Sequence, residues 1–124
     1  MSEEQNSQNN SSAVDEVNNS VESELSLIQL KEAWPSYSLE ERKEKFSRLP
    51  RTEAEELFLG LSAHDQAELL VNVSSLEKRS WIRLLAPDDV ADLIQELGPE
   101  AKEEILSLLD HQTRREVTAL LAYS

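Results

Sequence analysis

The amino-acid sequence predicts an all-α protein: a superhelix, or small α-solenoid, of seven or eight short helices. Three observations predict it. From Ser26 onward apolar residues recur with a period of twelve, the start of each unit carries helix-start chemistry, and β-branched residues are few and scattered with no strand alternation. The units are 26–37, 38–49, 50–61, 62–73, 74–85, 86–97, 98–109 and 110–121. Their twelfth residues are Tyr37, Leu49, Leu61, Val73, Leu85, Leu97, Leu109 and Leu121. Their ninth residues are Trp34, Phe46, Phe58, Leu70, Ile82, Ile94, Leu106 and Thr118, and Thr118 alone breaks the apolar rule. The eighth column adds Leu57, Leu69, Trp81, Leu93, Ile105 and Val117. Positions eight, nine and twelve share one face of an α-helix.

Taken in order, the units open on residues that start helices. Ser38 and Glu41 have capping-box spacing. Pro50, Pro87 and Pro99 fall at or beside a first turn, where a missing N–H costs nothing. Ser62 and Ser74 are good N-caps with Asp65 and Glu77 three positions on, and Asp110 is another. Gly98 reads as a stop for the helix before it. Each unit is then a helix of about nine to eleven residues plus a short turn, a length that is marginal alone in water. Its single apolar stripe needs a neighbour, so stacking is expected, with consecutive helices side by side. Turn signals every twelve residues exclude a long coiled coil. Trp34 and Trp81 lie in apolar columns and are expected in the core.

Residues 1–21 differ in kind. Gln5 through Ser12 is a low-complexity polar run, and every charge up to Glu24 is acidic. Such a segment buries too little apolar area to offset its chain entropy, so a disordered tail is expected ahead of a helical domain over 22–124. The chain of 124 residues carries 12 Lys+Arg against 25 Asp+Glu, a formal charge of −13. Setting aside the six acids up to Glu24 leaves −7 on the remainder. An acidic balance argues against nucleic acid, whose phosphates need a basic patch. It suits a cation, a basic protein surface, or solubility. The absence of cysteine removes disulfides, zinc–thiolate sites and thiol nucleophiles and fits a cytoplasmic address. No apolar run is long enough to cross a membrane, and no signal peptide is visible.

Catalysis is not expected. His64 and His111 each follow an N-cap on the solvent side of a helix start, and Gly60 and Gly98 are the only glycines, too few for a phosphate cradle. The run from Pro87 to Leu97 is more informative. Asp88 and Asp92 are four apart, so both carboxylates leave one helix face, with Glu96 a turn further. Magnesium keeps several waters and is held by one or two carboxylates at a time, which two aspartates a turn apart satisfy. Asp88 and Asp89 also suit a helix start for macrodipole reasons alone. Glu53, Glu55 and Glu56 form a second acidic run at another helix start. Arg42, Lys43, Lys45, Arg48 and Arg51 form the only positive cluster.

The stretch Leu84-Leu85-Ala86-Pro87-Asp88-Asp89-Val90-Ala91-Asp92-Leu93-Ile94-Gln95-Glu96-Leu97 resembles the cytosolic N-terminal domain of MgtE-type magnesium transporters. So does the ending, from Leu108 through Val117 and then Leu120-Leu121-Ala122-Tyr123. The similarity runs from about Leu27 to Tyr123. Superhelices of this kind also occur in armadillo-like domains, including those of flagellar motor switch proteins, but the Asp-Asp-x-Ala-Asp core with the Leu-Leu-Ala-Tyr end favours the transporter family. The resemblance implies a right-handed superhelix in the cytoplasm, or at the inner face of the membrane through a partner. It implies Mg²⁺ bound between this domain and tandem CBS domains, screening acidic surfaces and favouring a closed channel. Glu56, Asp88 and Asp92 match the family's ligand positions, the rest of each site coming from the partner. Weak Mg²⁺ binding in isolation follows. The chain stops at Tyr123-Ser124, where a family member continues into its CBS domains. The expectation is therefore either an excised gating domain or a stand-alone interaction scaffold of the same fold without a metal role.

Overall fold

The computed structural model describes residues 26–123. The tail expected over 1–21 lies outside the described residues. Helix α1 covers residues 26–33 and runs into a 3-10 turn, Trp34–Ser36. Seven helices follow: α2 (Leu39–Arg48), α3 (Arg51–Gly60), α4 (Ala63–Leu70), α5 (Ser75–Ile82), α6 (Pro87–Gln95), α7 (Pro99–Leu108) and α8 (His111–Ala122). Among the described residues there is no strand. The fold is all-α, with the helices packed as a small α-solenoid.

The described residues divide into two units, 26–38 and 39–123. In the first, Leu27 and Trp34 are buried, and the Ser36 hydroxyl donates to the Ala33 carbonyl at 2.6 Å. Everything from α2 to α8 belongs to the second.

The twelve-residue period appears in the backbone itself. Each of α3 to α8 begins twelve residues after the one before. From Tyr37 to Leu109, the N–H of every twelfth-position residue donates to the carbonyl of its ninth-position residue, at 3.0–3.3 Å. That i→i+3 bond tightens the last turn, satisfies a carbonyl the helix would leave orphaned, and turns the chain toward the next start. At those starts the Ser62 and Ser74 hydroxyls accept from the N–H groups of Asp65 and Glu77, each at 3.2 Å. Asp110 accepts from Thr113 N–H at 2.8 Å. Ala86 and Gly98 occupy the same extended N-cap conformation but offer no side-chain acceptor. Gly98 is thus the cap of α7, with an ordinary negative φ of −73°, while the bonds Glu96 N–H to Leu93 O and Leu97 N–H to Ile94 O have already closed α6.

The apolar columns face inward. Eighth-position residues from Leu57 to Val117 are at most 4% exposed. Phe58, Leu70, Ile82 and Ile94 of the ninth column are buried, and Thr118 is exposed. The fifth position belongs to the same face, through Ala54, Gln66, Lys78 and Val90. Positions five, eight, nine and twelve therefore make the i, i+3, i+4, i+7 stripe of a core-facing helix. Tight packing joins alternate helices rather than mainly consecutive ones: α2 meets α4, α4 meets α6, α6 meets α8, and α5 meets α7, with α6 also against α7. A turn of only two to four residues folds the chain back, and the returning helix carries its stripe to the helix two units away. Rings from three helices meet where the two rows touch: Phe46 to Trp81 at 5.0 Å, and Phe58 to Trp81 at 5.1 Å.

Two outcomes follow for stability. Leu93, wholly buried, truncated to alanine should lose about 3 kcal/mol in urea unfolding, through lost burial and the cavity left behind. Supplying the missing caps, by Ala86→Ser and Gly98→Ser, should each gain roughly 0.5 kcal/mol. A side chain at position 98 meets open space, since no heavy atom stands within 4 Å of where its Cβ would lie.

Candidate functional site: carboxylates on the helix faces

Helix α6 buries Val90, Ala91, Leu93 and Ile94 and turns its acids outward. Pro87 opens the helix, Asp88 and Asp89 stand in its first turn, and Asp92 follows one turn after Asp88. Asp88 and Asp92 are exposed, and α6 contains no Lys or Arg. Neither aspartate has a hydrogen bond or ion pair among the described residues. Asp88 profits from the positive end of the helix dipole, whereas Asp92 gains less and stands near a like charge. Glu56 is exposed on α3. The three are not gathered within 4.8 Å as a single ligand set; among the described residues the set so gathered is His64, Asp65 and Glu68 on α4.

The α4 cluster is already neutralised from within. Arg42 on α2 places Nη1 at 3.6 Å from Asp65 and 3.5 Å from Glu68. His64 sets Nε2 at 2.7 Å from Glu68 and Nδ1 at 3.2 Å from Glu96 beyond the end of α6. A neutral imidazole donates from one nitrogen only, so both contacts are made as hydrogen bonds to carboxylates only by the imidazolium, which this geometry favours. The hydrogen bond to Glu96 and the nearby charge of Glu68 accordingly raise the His64 pKa above its ordinary value. His64 is exposed, as its helix-start position predicts, yet it links α4 to α6.

A register emerges that the period alone does not disclose. The seventh position of the units is acidic at Glu32, Glu44, Glu56, Glu68, Asp92, Glu104 and Glu116, interrupted only by Ser80. Arg42, a fifth-position residue, pairs with Glu68, 26 residues on. Lys78, also fifth, pairs with Glu104, again 26 residues on. This is the stacking of alternate helices written in charge. The residue 26 before Asp92 is Gln66, whose amide instead donates to the Phe58 carbonyl at 2.8 Å. Arg114 uses the fifth position in the same way, donating to Leu106 O at 2.8 Å. Asp92 thus sits in an acidic column without the cation that serves Glu68 and Glu104. The signal is present in the sequence as a spacing of 26 between opposite charges, but it has meaning only once alternate helices are known to touch.

The His64 linkage makes stability depend on pH with a definite sign. A raised folded-state pKa contributes stability that is complete below the ordinary value of 6.5 and is lost as pH rises through the raised value. The thermal midpoint of the wild type should therefore exceed that of His64→Gln most at about pH 5.5 and converge with it by about pH 8.5, as circular dichroism melts across that range will record.

No helix among the described residues is long and apolar enough to cross a membrane. No curated protein matches the chain. A family model described as the MgtE intracellular N domain matches residues 25–124. That span takes in every described helix, the acidic face of α6 and the α4 cluster, and the chain belongs to the MgtE intracellular N-domain family.

Proposed function

We propose that the chain is a magnesium-sensing regulatory domain, with Asp88 and Asp92 as the carboxylates it presents to the ion and Glu56 as a second point of contact. The observation that carries this reading is the uncompensated charge at Asp92. Glu68 and Glu104, in the same column, are served by Arg42 and Lys78, whereas Asp92 has Gln66 in the corresponding place. A cation from outside is the natural complement to an acid that the fold leaves without one.

The donor set fits a hard divalent ion. Two exposed carboxylates one helical turn apart supply oxygen ligands, and Mg²⁺ retains water at its remaining positions. When bound, the ion supplies positive charge between two acidic surfaces that would otherwise repel. The protein's own residues do the rest. Val90, Ala91, Leu93 and Ile94 fix α6 in the core, so the aspartates are held at constant spacing. Glu56 is exposed on α3 and offers a further carboxylate. The opposing surface, CBS domains or another cytosolic protein face, completes the ligand shell. If one arrangement of the two surfaces binds the cation more tightly, rising magnesium shifts the population toward it by that difference in affinity and no more. The working site of such a domain is cytoplasmic, and its role is regulatory rather than catalytic.

Titration of the ¹⁵N-labelled chain with MgCl₂ tests this. Amide shifts should centre on Asp88 and Asp92, with a weaker set at Glu56, and saturate on the order of 1 mM because the shell is incomplete. Asp88→Asn with Asp92→Asn should abolish the α6 response. The same double variant should change stability by only a few tenths of a kcal/mol, because the dipole stabilisation lost at Asp88 offsets the like-charge repulsion removed at i, i+4. Shifts scattered over all acids alike, or unchanged by the double variant, would sink the assignment.

A further inference from the structure

We propose that the cavity between α2, the start of α3 and the α4–α5 connection is a docking site for an acidic peptide segment bearing a large apolar side chain. This inference stands apart from the cation-binding reading, since it uses the opposite charge and none of the same residues. The cavity has a volume of about 450 Å³. Its walls include Phe46, Leu49, Val73 and Trp81, and Lys43, Arg51 and Glu77 also border it.

Three observations choose the occupant. The first is unfinished burial. Phe46 holds the same ninth position as Phe58, Leu70, Ile82 and Ile94, which are all buried. Yet Phe46 is only half-buried, and α2 has no buried residue at all. The ninth column, closed from α3 to α6, is open here, so an apolar side chain entering the cavity gains area that water now covers.

The second is charge. In a chain of net charge −13, the stretch from Leu39 to Arg51 holds five cations against three acids. A local basic excess on an acidic protein attracts acidic segments and repels basic ones. The third is the difference between its cations. Arg42 is held by Asp65 and Glu68, and Arg48 by Glu44 at 2.8 Å. Arg51 bonds Glu55 at 2.9 Å, reaches the Ser80 carbonyl at 3.2 Å and lies 3.7 Å above the Trp81 ring. Lys43 has no ion pair among the described residues, although it is half-buried at the cavity. Its ammonium is the group left to receive a carboxylate, with the apolar walls beside it to receive the neighbouring side chain. Glu77, at the border of the cavity, is the carboxylate that a backbone N–H of the peptide would meet. Apolar anchor, acid and backbone donor together describe a peptide rather than a free carboxylate.

The test is an NMR titration of the full chain with the blocked hexapeptide Glu-Asp-Phe-Leu-Glu-Asp. Saturable shifts on α2 and α5, including the indole N–H of Trp81, are expected. Lys43→Glu should weaken binding about tenfold or more, and alanine at the peptide's two apolar positions should do likewise. A peptide with lysine in place of its acids should not bind. Lys43→Ala, which removes the ammonium without adding a charge, guards against a folding artefact and should also weaken binding. Equal binding by wild type and both Lys43 variants, equal binding of the lysine peptide, shifts centred on α6, or equal affinity for free phenylacetate would each overturn the proposal.

Discussion

Helices of eight to twelve residues do not persist in water, because too few propagation steps follow the cost of nucleation. Everything else in this protein depends on how that deficit is met. The twelve-residue unit allots a core stripe at positions five, eight, nine and twelve and leaves two to four residues to turn. The bond from the twelfth N–H to the ninth carbonyl links the two tasks, since it ends the helix at the residue that closes the stripe. The stripes of α2, α4, α6 and α8, and those of α5 and α7, meet mainly the helix two units away. The core is therefore a series of similar local junctions, such as Leu93 and Ile94 of α6 lying between the neighbours α4 and α8.

Much of this is legible in the linear sequence, for a physical reason. Apolar residues in the eighth and ninth columns are necessary wherever a helix is covered, so Leu57, Phe58, Leu93 and Ile94 announce the inner face directly. Ser62, Ser74 and Asp110 announce helix starts because few residue types can accept from an unsatisfied N–H. The fifth column is not legible. Gln66 and Lys78 are polar, and their burial makes sense only with the Phe58 carbonyl and the Glu104 carboxylate in place. Gly98 has the look of a stop, but the chain ends α6 with backbone bonds and uses the glycine as an ordinary cap. Stacking of alternate helices is hidden too, since a period fixes where helices begin but not which pairs touch.

The acids divide along the same line. Asp88 and Asp92 are visible as a pair from their spacing, and Glu56 from family resemblance. What spacing does not reveal is which carboxylates the fold neutralises itself. Arg42 and Lys78 reach across 26 residues to Glu68 and Glu104, and His64 joins Glu68 to Glu96. An acidic cluster close enough to hold a metal, His64 with Asp65 and Glu68, thereby becomes a link between helices. The outward pair on α6 draws no cation from its own chain, and the proposed magnesium role rests on that difference.

This division separates stability from recognition. The residues that hold the stack, the buried stripe and the cross-layer ion pairs, are not those proposed to meet other molecules. Asp88 and Asp92 sit on the side of α6 opposite Val90 and Leu93, so their charge can change with little effect on packing. Lys43 likewise borders a cavity whose walls are continuous with the core, but it makes no ion pair that the fold would lose. A solenoid of short helices suits such use because each unit repeats the same core contacts while its exposed positions vary freely. The cost is small: like charges one turn apart on α6 oppose folding by only a few tenths of a kcal/mol, an amount that burial of Leu93 alone outweighs several-fold. Surface acids unsupported by the chain are tolerable here because the stripe beneath them is complete, and it is that completeness that leaves them at liberty to meet a partner.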